Sequence, residues 1–323
     1  MILRSRKRPA ALSIALCAVV FAVLVANAQD DPHDWLERMS GALRSTTYEG
    51  TVIRVKGGSA EALKVVRTIS DGVIRERVVA QDGNGLEIIR NGNEVHCILP
   101  DTQSVLVEKW NDQSTLFTKL PSRDLLSGNE YDVVIENDDR IAGRKTLVLA
   151  IRPHDEYRYS HKIWLDTETG FPLQTKMSNG DDDALELVKF ADVRINHEIQ
   201  ASALQPSYST ENFRWFSQPA KTVKAIVESD WSSDDLPLGF RVVETHSEAS
   251  PGSDELMTHI LYTDGVANVS VFITPLTGKP TSEASSVGAS NSYSTIVAAF
   301  RVTAVGEVPA VTVRQIATSM RLR

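Results

Sequence analysis

From Tyr48 to Ile195 apolar and polar residues alternate at period two, and turn-forming residues cut the alternation into short runs. "TVIRVK" sets Ile53 and Val55 against Arg54 and Lys56, and "LKVVRTI", "VIRERVV", "LEIIR", "EVHCIL" and "SVLVEK" follow. Lys56-Gly57-Gly58-Ser59, Asp71-Gly72, Asp82-Gly83-Asn84-Gly85, Asn91-Gly92 and Pro100-Asp101 separate them. Short β-rich runs bounded this way form an antiparallel meander. An irregular stretch, "NDQSTLFTKLPSRDLLSGNEY", has room for one or two short helices. Strands then resume as "YDVVIE", "KTLVLAIRP", "HKIWLD", "FPLQTKM" and "LELVKFADVRI". About eleven strands with no helix long enough for a parallel crossover predict one large antiparallel sheet. A flat sheet of that size is unusual, so it must curve strongly.

Outside this block the pattern changes. Pro32 suits a first helical position, and Trp35, Leu36, Met39 and Leu43 fall on one helical face. Residues 201–222, rich in Ser, Pro, Gln and Asn, read as a linker. Its aromatics Phe213, Trp215 and Phe216 are expected at a domain interface or in a partner groove, because clustered apolar surface marks contact sites. Residues 223–323 give strands at "FRVVETHS", "LMTHILYT", "VANVSVFIT" and "STIVAAFRVTAVG", with Thr263-Asp264-Gly265 as a hairpin turn. Pro275–Ser292 reads as a loop, and "VPAVTVRQIATSM" as a closing helix. The fold class is therefore α+β and mostly β: a large sheet domain at 29–200 and a small α+β domain at 223–323.

The N-terminus is a separate matter. Arg4, Arg6, Lys7 and Arg8 precede an apolar run from Ala10 to Val25 and an Ala26-Asn27-Ala28 site. This is the pattern of a secretory signal peptide, 1–28, cleaved after Ala28. The run is shorter than the ~20 residues a spanning helix needs. Without those four basic residues the net charge of −8 becomes −12, which disfavours nucleic acid as a partner. Cys97 is then the one remaining cysteine, expected as a buried apolar side chain in a chain with no internal disulfide.

Catalytic patterns are missing. There is no G-x-S-x-G elbow, H-E-x-x-H or Gly-rich phosphate loop. His154 and His161 flank "DEYRYS", expected to be a solvated hairpin rather than a metal site. Asp181-Asp182-Asp183 lacks calcium-loop spacing and reads as a charged hairpin tip. "IWLDTETGFPLQTKM" groups Asp166, Thr167, Glu168 and Thr169, but a turn explains it: Asp166 bonds backbone N–H groups and Gly170 supplies a positive φ. Ile163 and Leu165 should share one face, with Trp164 on the other. No enzyme activity and no cofactor is expected.

That hairpin, followed by "LELVKFADVRI", resembles the Trp-hydrophobic-Asp…Thr-Gly…Pro hairpin of periplasmic lipoprotein-carrier-like domains. With "YEGTVIRVKGG", "LPLGFRVVE", "HILYTDGVANVSVFI" and "VTAVGEVPAVTVRQIATSM", nearly the whole chain is similar to the RseB/MucB family. The resemblance implies a carrier-like half-barrel in the large domain. It implies a soluble periplasmic protein that binds the periplasmic part of a single-span anti-sigma factor of the RseA/MucA type. It further implies shielding of that partner from site-1 proteolysis, restraint of the envelope-stress sigma factor, and release by lipopolysaccharide or misplaced lipoprotein. A periplasmic lipid or lipoprotein carrier is the competing reading, and a second copy of the chain is a further candidate partner. Candidate groove residues are Phe213, Trp215, Phe216, Trp231 and Phe240. Candidate lipid-cavity or head-group residues are Trp35, Trp164, Arg54, Lys56, Arg75 and Arg77. The tip "SNGDDDALE" is more acidic than the family pattern, which argues against an anionic head group there.

Overall fold

The computed structural model describes residues 31–110, 116–117, 120–121, 126, 130–180, 183–217, 230–249, 256–278 and 281–323. The expected signal peptide, most of the irregular stretch after Trp110 and two of the tip aspartates, Asp181 and Asp182, lie outside them.

Helix α1 (Pro32–Ser45) is followed by the eleven expected strands: β1 (Tyr48–Lys56), β2 (Ser59–Ser70), β3 (Val73–Ala80), β4 (Glu87–Asn91), β5 (Glu94–Leu99), β6 (Ser104–Lys109), β7 (Tyr131–Ile141), β8 (Arg144–Pro153), β9 (Ser160–Asp166), β10 (Pro172–Ser178) and β11 (Ala184–Ile195). Their order in the sheet is β6-β5-β4-β3-β2-β1-β11-β10-β9-β8-β7. Two meanders thus join where β11 returns antiparallel to β1, with Tyr48 opposite Ile195. A sheet must bury one face, and α1 covers this one. Its stripe of Trp35, Leu36, Met39, Ala42 and Leu43 is buried with Tyr48, Phe171 and Phe190 in the large core. Beneath the helix, buried Arg67 donates from Nη2 to the Leu43 carbonyl at 2.6 Å. A cation there meets carbonyls that the helix end leaves unpaired. The Tyr48 hydroxyl donates to Glu76 at 3.1 Å.

The β9–β10 turn is built as its residues demand. Asp166 Oδ2 accepts from the Thr169 backbone N–H (3.0 Å) and hydroxyl (2.6 Å), and the Gly170 N–H donates to the Asp166 carbonyl (2.8 Å). Gly170 has φ +76°, and a Cβ there would meet Arg38 Cβ of α1 at 3.1 Å. Arg144 was not foreseen: its Nε and Nη2 both donate to the Asp166 carboxylate at 2.9 Å. Ile163 and Leu165 are fully buried. Trp164 takes the opposite face, paired with Val148 and Gln174, and its indole N–H donates to Asp139 at 2.8 Å.

The expected linker is structured over its first part. A 3-10 turn at Ala201–Leu204 lies on the convex face of the sheet. Arg77 pairs there with the buried Glu87 carboxylate and donates to the Ala203 carbonyl (3.2 Å) and to Ser207. The Ser207 N–H donates to Glu87 Oε2 at 2.9 Å. Strand β12 (Arg214–Ser217) then adds a twelfth strand, parallel to β6, with Trp215 opposite Val105.

The remaining strands are β13 (Trp231–Ser233), β14 (Arg241–Ala249), β15 (Leu256–Thr263), β16 (Asn268–Pro275), β17 (Glu283–Val287), β18 (Ser290–Val297), β19 (Phe300–Gly306) and β20 (Met320–Leu322). Six form a second sheet in the order β14-β15-β16-β19-β18-β17, and β13 pairs with β20. Helix α2 (Ala310–Ser319) buries Val313, Ile316 and Ala317 against it. Two expectations change here. The expected loop Pro275–Ser292 contains β17 and the start of β18. "STIVAAFRVTAVG" is two strands, because Ala298 (φ 54°) turns the chain.

Asp166 ties these observations to stability. Burial opposes its charge, but hydrogen bonds from Arg144 and Thr169 hold its carboxyl below the usual carboxylate range. Stability from this group is present above about pH 4 and is lost as pH falls through its folded pKa. Asp166→Asn should cost about 2 kcal/mol at pH 7, the scale of hydrogen bonds to a charged group. The urea midpoint checks this, and the deficit should shrink below pH 4.

Candidate functional site at the domain junction

The strand alternation of β1 sends Arg54 and Lys56 to the same concave face as Val52. Across the sheet that face continues through Val188 and Glu186 of β11, Thr175 and Met177 of β10 and His161 of β9. These residues line a cavity of about 240 Å³. Leu116, Phe117, Leu120 and Tyr131 give it an apolar wall, and Val266, Ala267, Asn268 and Glu307 of the second domain close it. Charge gathers at one side. Lys56 Nζ lies 2.9 Å from Glu307 and 3.5 Å from Glu186, and Arg54 pairs with Glu61. Burial works against the Lys56 charge, but the two carboxylates outweigh it and raise its pKa.

Beside the cavity the two domains share a buried polar cluster. Arg158 and Asp264 side chains are both fully buried, and Arg158 Nε donates to Asp264 Oδ2 at 2.6 Å. Arg158 also pairs with Asp155 and donates to the Leu238 carbonyl. The Tyr131 hydroxyl donates to the same Asp264 oxygen at 2.8 Å. Burial, reinforced by Asp264, pushes the Tyr131 phenol far above its ordinary value. Nearby, Tyr159 donates to the Ala289 carbonyl (3.2 Å) and accepts from Asn291 Nδ2 (3.0 Å), and Thr312 donates to the Tyr157 carbonyl (2.7 Å). Gly57 and Gly288, at two hairpin tips, meet backbone to backbone.

The sequence candidates divide. Arg54 and Lys56 line the cavity. Arg75 and Arg77 do not, because they lie on the other face of β3 from Glu76 and Val78. Arg77 fastens the linker instead. Trp35 is core beneath α1, with the Arg38 guanidinium over its ring at 4.0 Å, and Trp164 faces away from the cavity. Trp231 and Phe240 are buried in the small core rather than offered to a partner, although the Arg158 guanidinium lies 5.1 Å from the Phe240 ring. Trp215 and Phe216 are each 51% exposed, so they are not packed between domains. The Trp215 ring meets His96 edge-on at 5.3 Å, and Phe213 is partly buried. Cys97 is partly buried, and burial pushes its thiol up to about 11. "DEYRYS" is not a solvated hairpin, since Arg158 and Tyr159 are buried. Those two and Asp264 were missed. The one available signal was an Arg and two Tyr crowded into a short connection.

Residues 31–208 match the MucB/RseB N-terminal domain, and residues 220–321 match the MucB/RseB C-terminal domain. The chain belongs to the MucB/RseB family. It is 31% identical over 306 residues to the Sigma factor AlgU regulatory protein MucB of Pseudomonas aeruginosa, covering 90% of this chain and 91% of that one. The complex structure of Pseudomonas aeruginosa MucA/MucB matches with a TM-score of 0.73 at 27% identity, covering 91% of this chain and 99% of that one. A crystal structure of MucB matches at 0.58 and 25% identity, covering 92% and 99%. Among the described residues no group of three His, Cys, Asp or Glu is placed to hold a metal, and no helix is long and apolar enough to cross a membrane.

His161 gives the cavity wall a pH signature. Burial pushes its imidazole down to about 4, against the opposing pull of Asp264. Its contribution to stability is therefore full above about pH 6.5 and is lost as pH falls from there towards 4, by up to about 3 kcal/mol. His161→Gln should flatten the urea midpoint between pH 6.5 and 4.5, while wild type declines across that window.

Proposed function

We propose that this protein is a periplasmic regulator that binds the periplasmic part of a membrane anti-sigma factor. Bound there, it shields that factor from site-1 proteolysis and so restrains the envelope-stress sigma factor. A lipid-type ligand, such as lipopolysaccharide or misplaced lipoprotein, releases it. The observation that carries this reading is the likeness, across 91% of the chain, to MucB in its complex with MucA.

The junction supports the ligand part of the reading. Its cavity joins an apolar wall to a mouth where Arg54, Lys56 and Lys176 stand beside Glu186 and Glu307; an anionic head that takes Lys56 from those carboxylates would break its tie to the second domain at Glu307. Burying an acyl chain contributes about 0.8 kcal/mol per CH₂, so twelve carbons supply roughly 10 kcal/mol before ordering costs. Shifting a two-state equilibrium almost completely needs only about 5.5 kcal/mol of differential affinity. A carrier needs only the half-barrel; a second domain latched across its mouth fits a regulator better.

A pull-down from envelope extract, with protease protection of the captured partner, tests this. Recovery of a single-span anti-sigma factor that the protein protects, and that purified lipopolysaccharide releases, is the expected result. Capture of no such factor, together with no protection, would overturn the regulatory reading. Transfer of lipid to an acceptor protein would favour the carrier.

A further inference from the structure

The turn between β15 and β16 is held from two sides by one carboxylate. Asp264 Oδ1 accepts from the backbone N–H groups of Val266 (2.9 Å) and Ala267 (2.7 Å), which sets the shape of its own turn. Asp264 Oδ2 accepts from Arg158 and Tyr131 of the other domain. Thr263 stiffens the same turn: its hydroxyl donates to the Ala267 carbonyl (2.8 Å) and accepts from the Gly265 N–H (3.0 Å). The turn therefore carries Val266 at a fixed position. Val266 is only 8% exposed, and it packs in the core of the large domain, not in that of the sheet it belongs to. Turn tips ordinarily run over the surface. This one supplies a wall of the cavity, with Val188 and Phe117 among the other residues that line it.

We propose that the Thr263–Asn268 turn is a built-in plug of the half-barrel, an apolar stand-in that the tail of an anionic amphiphile displaces. The proposal rests on the reading above, that the cavity takes such a ligand, and adds how entry is coupled to release. The cavity holds about 240 Å³ with the plug in place, below the roughly 300–1,000 Å³ of sites that enclose a drug-sized ligand. A long tail enters only as Val266 leaves. Val266 cannot leave while Asp264, two residues before it, stays bonded to Arg158 and Tyr131. Tail entry and the latched arrangement of the domains therefore exclude one another. The contacts of Lys56 with Glu307, on the β19–α2 connection, and of Gly57 with Gly288, on the β17–β18 hairpin, lie away from this turn and are free to act as the hinge.

Titration of the full-length chain with cis-parinaric acid, a fluorescent fatty acid, tests this. Val266→Ser should bind the probe at least fivefold more tightly than wild type, because the apparent affinity rises with the fraction of molecules already open. Leu256→Ser, an exposed position at the start of β15 seven residues before Thr263, should bind as wild type does. Hydrogen exchange on wild type gives a second reading that needs no variant. The amides of Val266 and Ala267 should lose protection when the probe binds. If wild type binds but Val266→Ser binds no tighter and those amides stay protected, the plug is wrong and the cavity reading stands. If no form binds the probe, the amphiphile reading falls and the plug falls with it.

Discussion

Two charges removed from water must satisfy each other, because either one alone in the interior costs several kcal/mol. Arg158 and Asp264 are in that position, one from each domain, and neither side chain touches solvent. Their pairing imposes the rest of the junction. It fixes the β15–β16 turn, since the same carboxylate holds the turn's backbone. It orders the Tyr131 hydroxyl at the start of β7, and it places Val266 in the core of a domain it does not belong to. Burying the pair also requires the rings around it. Tyr131 and Phe240 lie 5.6 and 5.1 Å from the Arg158 guanidinium.

Much of the architecture was legible because it rests on local chemistry. Period-two alternation from Tyr48 to Ile195 gave all eleven strands of the main meander, and the Asp166 to Gly170 turn formed for the reasons its residues supply. The helix stripe from Trp35 to Leu43 also fell where spacing placed it. What alternation cannot give is the side on which a polar face ends. Arg54 lies between Ile53 and Val55 and Arg77 between Glu76 and Val78, and neither local sequence says which face the side chain takes. One faces the cavity, and the other clamps a linker on the convex side. Only the pairing of β1 with β2 and of β2 with β3 decides this. The short strands β12 and β17 were missed for a related reason. β17 is Ser-rich and carries little strand signal, β12 is only four residues long, and an open sheet edge recruited each of them.

The site itself was less legible. Its residues come from the 154–159 connection and from a turn more than a hundred positions later, each of which reads by itself as a solvated loop. No periodicity links Arg158 to Asp264; the pair exists only after both domains have folded. A junction held by one buried pair and a small number of hydrogen bonds is the kind of contact that can take two discrete arrangements.

The most direct test of this account is a double-mutant cycle across the junction, Arg158→Met with Asp264→Asn, read by urea unfolding of the full chain. Each single change should cost about 3–5 kcal/mol, because it strands a buried charge or its polar partners. The double change should cost clearly less than the two together, by more than about 1 kcal/mol. Costs that simply add, to within about 0.5 kcal/mol, would mean that the two residues act independently and that the junction does not depend on their pairing.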